Sequence, residues 1–350
     1  MKIQLNQHTM TIPIIQGGMG VGVSLGNLAG HVALNGGMGV ISTAHPGYRA
    51  DDFLKNTKEA NVRELQVEIK KAKEIANNNG IVAINAMVAI RDYELMIKAA
   101  LDAKVDAIIS GAGLPLNLPA LVKGHDVLIA PIVSSKKALA VILKSWQRKH
   151  QRVPDFIVIE GALAGGHLGF HKEDLLEGKV QSLEAILIDV LELLKQLDLC
   201  IPVFVAGGIY TGQDIRKYID LGATGVQMAT RFITTNECDA SLAYKQAFLQ
   251  ATTKDIDLVK SPVGMPGRAI KNKLTEKLEK GQRIPIKHCF QCLIPCDPKT
   301  TPYCISGALI DAVKGNKEEG LFFSGSNGYL NKEIISVKRL IKQLMEECYS

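Results

Sequence analysis

The sequence predicts an α/β protein, a (β/α)8 TIM barrel with a small second domain inserted after the eighth strand. Short, apolar, β-branched runs alternate with longer stretches of helical periodicity from the start of the chain to about residue 252. These runs are apolar throughout, which is typical of parallel strands that are buried on both faces. Eight such pairs in 350 residues fit one barrel with an appendage, and a doubly wound sheet is the alternative.

The elements are predicted from these runs in order along the chain. The eight predicted strands are 12–16, 39–43, 81–88, 107–111, 127–133, 156–161, 202–208 and 225–232. The predicted helices between them include 62–78, 93–103, 136–150, 183–197, 212–221 and 240–251.

The regular alternation ends after residue 252, and this change predicts the domain organisation. We expect a barrel over 1–252 and a small domain on the substrate side over 253–320, which carries four clustered cysteines. Residues 321–350 are expected to form a glycine-containing loop and an amphipathic helix that return to the barrel.

Charge and composition exclude several classes of protein. The net charge is +6, and the stretch 268–287 holds seven basic residues against two acidic ones. We interpret this stretch as a solvated basic helix, with a docking patch for an acidic partner or a phosphate as the alternative. The remaining chain is nearly neutral and only 5% aromatic, which argues against binding to nucleic acid.

The chain also lacks the sequence marks of secretion or membrane insertion. No apolar run approaches the length of a membrane span, and no apolar signal-peptide region follows the first residues. Seven cysteines, four of them crowded together, do not resemble a secreted disulfide framework. We therefore expect a cytoplasmic protein with no membrane contact.

Glycines are concentrated where the predicted strands end. In a barrel the strand ends carry the chemistry, and glycine lets backbone N–H groups point into a concave site. Gly207 and Gly208 follow the seventh strand, Ala229 and Thr230 end the eighth, and a helix is expected from Gly212. Loops after strands seven and eight together with a helix N-terminus form the usual phosphate site of such barrels, so we expect a phosphate here.

Four runs in this order make the sequence resemble the nitronate monooxygenase family, formerly called 2-nitropropane dioxygenases. They are Pro-Ile-Ile-Gln-Gly-Gly-Met over 13–19, Glu-Gly with Ala-Gly-Gly-His-Leu-Gly over 160–169, Val-Ala-Gly-Gly-Ile over 205–209 and Gln-Met-Ala-Thr-Arg-Phe over 227–232. The resemblance covers residues 10 to about 272 and resumes at 325–328. FMN-dependent enoyl-acyl-carrier-protein reductases share these motifs.

The resemblance implies that the barrel binds FMN non-covalently and oxidises alkyl nitronates or nitroalkanes with O2 to a carbonyl compound and nitrite. His167 falls on the active-site histidine of the family, and an imidazole at a barrel mouth can exchange a proton near neutral pH. The usual glycine of the last motif is Ala229 here, and its methyl group crowds the approach to a ligand. The expected FMN contacts are Gly17, Gly18, Met19, Asn85, Gly166, Ala206, Gly207, Gly208, Ala229, Thr230 and Gly325.

Two other functions stay open at this point. In an enoyl-acyl-carrier-protein reductase, NAD(P)H would reduce FMN, and the basic stretch would meet an acidic acyl-carrier protein. The other alternative is a flavin- or phosphate-ligand-binding barrel without turnover. The expected partner is a small-molecule substrate, and a homodimer through an apolar barrel face is a further expectation.

The cysteine cluster is not explained by the resemblance. The spacing Cys289-x2-Cys292-x3-Cys296-x7-Cys304 puts four thiols in a short span that could close around Zn²⁺ or an iron–sulfur cluster. Reduced thiols in a loop are the alternative, and no metal is included among the expected cofactors.

Overall fold

The computed structural model describes residues 2–262 and 264–350, and its centre is a closed barrel. The strands are β1 (Ile3–Leu5), β2 (His8–Met10), β3 (Ile14–Gln16), β4 (Met38–Ser42), β5 (Ile81–Met87), β6 (Ala107–Gly111), β7 (Leu128–Val133), β8 (Ile157–Glu160), β9 (Gly166–His167), β10 (Val203–Ala206), β11 (Gly225–Met228), β12 (Ile256–Lys260) and β13 (Pro266–Ile270). The helices are α1 (Gly26–Leu34), α2 (Thr57–Ala76), α3 (Tyr93–Asp102), α4 (Leu118–Leu121), α5 (Lys136–His150), α6 (Lys172–Leu176), α7 (Leu183–Gln196), α8 (Gly212–Asp220), α9 (Thr230–Ile233), α10 (Leu242–Gln250), α11 (Lys273–Glu279), α12 (Ile305–Val313) and α13 (Val337–Tyr349).

Eight parallel strands form the barrel, as the sequence predicts. They follow the chain order from β3 through β8 to β10 and β11, and β11 pairs back with β3. This closure confirms the (β/α)8 barrel and removes the doubly wound sheet, which would have two open edges. Each predicted strand matches one barrel strand, although most observed strands are shorter.

The barrel interior is filled by side chains and closed at one end by the β1–β2 hairpin. Phe156 and Phe204 meet edge to face inside it, with ring centroids 5.8 Å apart. Ile3, Leu5 and Met10 from the hairpin join the same buried cluster. The core is therefore solid at the amino ends of the strands, and space for a ligand is left at the carboxyl ends.

Serine residues set the starts of the longer helices. Ser135, Ser182, Ser241 and Ser336 each accept a hydrogen bond from the backbone N–H three residues later, at the starts of α5, α7, α10 and α13. Helix α1 lies between β3 and β4 and contains two glycines, which lower its helical propensity. Gly30 allows α1 to approach α2 closely, since a Cβ on Gly30 would lie 2.7 Å from Cβ of Ile75.

The eighth barrel strand ends earlier than the sequence predicts. Strand β11 stops at Met228 and the chain turns at Ala229 into α9, whereas the prediction extended the strand to residue 232. Phe232 and Ile233, which gave the run its strand-like appearance, are buried on this short helix. Thr230 consequently lies at the first position of α9.

The segment after residue 252 forms a small sheet that returns to the barrel loop. Strands β12 and β13 pair antiparallel, and β13 also pairs antiparallel with β9. The basic stretch is therefore only partly helical, since Arg268 lies in β13 and α11 covers Lys273–Glu279. The division at residues 252 and 320 stays a prediction.

The last helix lies beside α8. The backbone N–H of Gly212 donates to Glu347 of α13 at 2.7 Å, and the Gly212 Cα lies against the α13 backbone. Among the helices of the described residues, none has both the length and the apolar character that a bilayer crossing requires.

Candidate active site

A cavity of about 410 Å³ lies at the carboxyl ends of the barrel strands, within the usual range for ligand sites. All twelve residues that the sequence analysis assigned to the site line this cavity, and the structure thus brings them together. They are Gly17, Gly18, Met19, Asn85, Gly166, His167, Ala206, Gly207, Gly208, Ala229, Thr230 and Gly325.

One end of the cavity presents backbone donors. Gly207 and Gly208 have φ angles of +103° and +80°, in the left-handed region that favours glycine. Their N–H groups, and that of Ala229, have no hydrogen-bond partner among the residues that the structure describes. Three unpaired N–H groups beside a cavity form a site suited to an anion.

The helix expected to complete this anion site is α8, and that part of the prediction is wrong. The carboxylate of Asp214 accepts from the backbone N–H groups of Tyr210 and Thr211, and Glu347 accepts from that of Gly212. The first N–H groups of α8 are thus already paired with carboxylates, which would also repel an anion.

A loop near the C-terminus, rather than α8, completes the anion site. The backbone N–H of Gly325 donates to Oγ1 of Thr230 at 3.0 Å, and Asn327 donates through Nδ2 to the carbonyl of Gly208 at 2.7 Å. The buried hydroxyl of Ser326 has no partner among the described residues, although it lies at the cavity. This loop therefore brings a further unpaired polar group to the end where the backbone donors lie.

The inner wall is closely packed around two glycines. A Cβ on Gly18 would lie 2.5 Å from Cβ of Asn85, and one on Gly17 would lie 3.2 Å from Cγ of Gln227. The buried Oε1 of Gln227 also has no partner within the described residues. The sequence analysis did not assign Gln227 to the site, although it stands in the quoted motif of 227–232.

His167 lies in β9, and the rest of the protein fixes its position. Strand β13 pairs with its backbone, Nε2 lies 2.7 Å from Oγ of Ser261, and the ring meets Phe323 edge to face at 5.1 Å. Burial lowers the pKa of His167 to about 4, so the imidazole is neutral at neutral pH. Sequence reasoning missed Ser261 and Phe323, because both lie about a hundred residues or more from the histidine.

Glu160 also lines the cavity, at the end of β8, and was not assigned to the site from the sequence. Burial raises the pKa of its carboxyl to about 8, so the group is mostly protonated at neutral pH. A neutral carboxyl beside the cavity can donate a hydrogen bond without repelling an anionic ligand. The sequence signal that could have assigned Glu160 to the site is its position at the end of a predicted strand, beside Gly161.

Arg268 shapes the loop that follows β8. Its Nη1 donates to the carbonyl oxygens of Ala162 and Ala164 at 2.7 and 2.6 Å. The guanidinium of this basic-stretch residue is thus turned inward. Three other cations of that stretch, Lys271, Lys273 and Lys287, are paired with carboxylates, as in Lys271 with Asp257 at 2.7 Å. This pairing weakens the argument for an acidic docking partner.

The four clustered cysteines have free thiols. Cys289 is exposed, while Cys292, Cys296 and Cys304 are half-buried. Burial raises the pKa of Cys292 to about 11. Within residues 2–262 and 264–350, the structure contains no preformed group of three or more His, Cys, Asp or Glu side chains in the arrangement of a metal site.

A closed barrel that gathers unpaired backbone donors and a half-buried histidine at its carboxyl rim defines a TIM-barrel enzyme with a preformed ligand site. The model of the nitronate monooxygenase family matches residues 2–347, and the chain belongs to this family. It is an oxidoreductase of the nitronate monooxygenase type, and enzymes of this type use a flavin.

Similarity to individual proteins extends over nearly the whole chain. A "Probable nitronate monooxygenase" of Bacillus subtilis (strain 168) is 26% identical over 376 residues, covering 98% of each chain. A "(3aS,4S,5R,7aS)-5-hydroxy-7a-methyl-1-oxo-octahydro-1H-indene-4-carboxyl-CoA dehydrogenase" of Mycobacterium tuberculosis (strain ATCC 25618 / H37Rv) is also 26% identical, covering 95% of this chain and 92% of its own. The solved structure of FabK from Thermotoga maritima superposes with a TM-score of 0.74 at 24% identity, covering 97% of this chain and 93% of that one.

Proposed function

We propose that this protein binds FMN and oxidises alkyl nitronates, or their parent nitroalkanes, with O2 to a carbonyl compound and nitrite. The observation that carries the proposal is one cavity with unpaired backbone N–H groups at one end and the neutral imidazole of His167 in its wall. When bound, FMN supplies the oxidising chemistry that protein side chains lack.

The residues present fit the phosphate-bearing tail of FMN. The N–H groups of Gly207, Gly208 and Ala229 would hold the phosphate, and the hydroxyls of Thr230 and Ser326 would add donors. These groups hold an anion by dipoles rather than by charged side chains. The unpaired Oε1 of Gln227, deeper in the wall, would accept from a donor on the ring system.

His167 would handle the proton of the reaction. With its ring proton on Nε2, the neutral imidazole can accept the α-proton of a nitroalkane at Nδ1; with that proton on Nδ1, it can donate a hydrogen bond to an oxygen of a nitronate. Ser261 occupies Nε2, which leaves Nδ1 for the substrate. The protonated carboxyl of Glu160 would let the anionic nitronate enter without repulsion.

The test is a comparison of turnover by the purified, flavin-containing protein. We expect yellow protein that releases FMN on denaturation, and nitrite formation from ethyl nitronate in the presence of O2. A protein that takes up no FMN, or that oxidises NADH with crotonyl thioester but forms no nitrite, would refute the proposal. The second result would establish the enoyl reductase instead.

A substitution of the histidine separates its chemistry from binding. We expect His167→Ala to lower kcat/KM for nitroethane, whose α-proton must be removed, by about a hundredfold or more while the FMN content is unchanged, since general-base catalysis contributes about 10²–10⁴-fold. The matched control is His171→Ala, four residues further on and exposed, which should leave kcat/KM unchanged. Equal effects of the two substitutions would remove His167 from the mechanism.

A further inference from the structure

A second, smaller cavity adjoins the active-site cavity. Its volume is about 60 Å³, and its walls include residues of the barrel loops, of α12 and of the cysteine-containing segment. We call it the side chamber. The residues that line both the side chamber and the main cavity are Thr43, Ala44, Met87, His167 and Leu309. The side chamber therefore begins where His167 and Leu309 meet the main cavity.

Most of the side-chamber wall is apolar. The larger aliphatic residues that line it include Met87, Ile90, Met96, Leu293, Ile305 and Leu309. An apolar group that moves into such a space from water gains binding free energy in proportion to the area it buries.

The buried polar residues of the wall are satisfied by one another. The backbone N–H of Gly47 donates to Oδ1 of Asn61 at 3.1 Å, which turns Nδ2 of Asn61 toward Nδ1 of His45, 3.1 Å away. Nδ1 is therefore the acceptor, and the ring proton on Nε2 is donated to Oγ of Ser306 at 2.8 Å. Ser306 in turn hydrogen-bonds the thiol of Cys292.

The remaining polar side chains of the wall are also paired. The hydroxyl of Thr43 donates to the carbonyl of Asn85 at 3.0 Å, and that of Thr57 donates to a backbone carbonyl one turn earlier at 2.7 Å. Asp92 forms an ion pair with Lys58 at 3.1 Å. An apolar ligand can enter the chamber without breaking any of these bonds.

We propose that the side chamber holds the aliphatic tail of the substrate, while the reacting carbon stays beside His167. This inference rests on the proposed function and specifies its substrate class as nitronates with a short aliphatic tail. An apolar cavity of about 150 Å³ takes up benzene, so 60 Å³ has room for about two or three carbon atoms. Longer tails do not fit into it.

Straight-chain carboxylates test the side chamber without turnover, because a carboxylate carries one charge over two oxygens as a nitronate does. We would measure the affinity of the flavin-containing protein for ethanoate through octanoate by isothermal titration calorimetry. We expect about a fourfold gain per added carbon over two or three successive homologues, followed by a plateau or a fall. A change of less than twofold over the series, or a rise that continues to octanoate, would overturn the proposal.

Substitution of Ile305 changes the size of the side chamber in both directions. Ile305→Phe should fill it and abolish the gain with chain length, and Ile305→Ala should move the plateau to longer chains by about one or two carbons. Ile188→Phe, on the exposed face of α7, makes the same exchange as a control and should leave the series unchanged. An unchanged series in both Ile305 variants would exclude the side chamber as the tail site.

The carboxylate series also separates this inference from the proposed function. Nitrite formation with a flat carboxylate series would refute the side chamber as the tail site and leave the proposed function standing. A series that rises and then levels, without nitrite formation, would support the tail site and refute the proposed function.

Discussion

Glu160→Gln tests the electrostatics of the cavity through protein stability. A glutamate has an ordinary pKa of 4.5, and burial raises that of Glu160 to about 8. Between these pH values the folded state binds more protons than the unfolded state, so the free energy of unfolding falls as the pH rises and levels off above pH 8. The difference between the two pKa values is about 3.5 pH units, at about 1.4 kcal/mol each, which sets an upper bound of about 5 kcal/mol on this fall in the free energy of unfolding. Because the carboxyl borders an open cavity that water can enter, we expect the free energy of unfolding to fall by about 2–3 kcal/mol.

The assay is urea denaturation of wild type and variant at pH values from 5 to 9. The variant cannot ionise at this position, so its advantage over wild type should grow from pH 5 to pH 8 and then stay constant. Glu59→Gln, an exposed glutamate in the first turn of α2, is the control and should show no such trend. A difference between Glu160→Gln and wild type that is constant over the whole range would refute the argument that burial holds this carboxyl protonated.

Three further predictions concern the groups that build the site. Gly208→Ala should weaken FMN retention at least tenfold in equilibrium dialysis, because its new Cβ would lie about 3.0 Å from the Leu163 side chain. Gly124→Ala is the control: Gly124 has a similar φ, its Cβ would have no atom within 4 Å, and the variant should retain FMN like wild type. Ser261→Ala should lower kcat/KM for nitroethane by about tenfold, the value of one orienting hydrogen bond to His167. It should also shift the pH profile of kcat/KM without loss of FMN; an unshifted profile would contradict its positioning role. Arg268→Met should lower the free energy of unfolding by about 2–4 kcal/mol in urea titrations, because two carbonyl oxygens lose a charged donor; a loss below about 0.5 kcal/mol would show that these bonds contribute little.

The barrel could be predicted from the sequence because its signal is local. Each parallel strand is buried on both faces, so each one appears as a separate apolar run, and the spacing of eight runs leaves room for the helices between them. Helix α5 has the bounds that its helical periodicity predicts, and in the structure the side chain of Ser135 caps its first turn. The end of β11 was missed, because apolar residues such as Phe232 and Ile233 can be buried equally well on a strand or on a short helix. Their apolar character therefore does not show which element they belong to.

The composition of the site could be predicted, but its internal organisation could not. The glycine turns mark the strand ends, which the closed barrel then brings together. The interactions that define the site join distant parts of the chain, as when Ser261 contacts His167 or Gly325 contacts Thr230. Whether the first turn of α8 could still accept an anion depended on Glu347, which no local pattern reveals.

The pairing of β9 with β13 has a consequence for the nascent chain. The eight barrel strands are complete once Met228 has been synthesised, whereas His167 takes its place in a sheet only after Gly267 has been added. The loop around Gly325 arrives later still. On the ribosome, barrel closure can therefore precede assembly of the flavin pocket. A chain that ends shortly after the barrel would lack both the strand that pairs with His167 and the glycine that contacts Thr230.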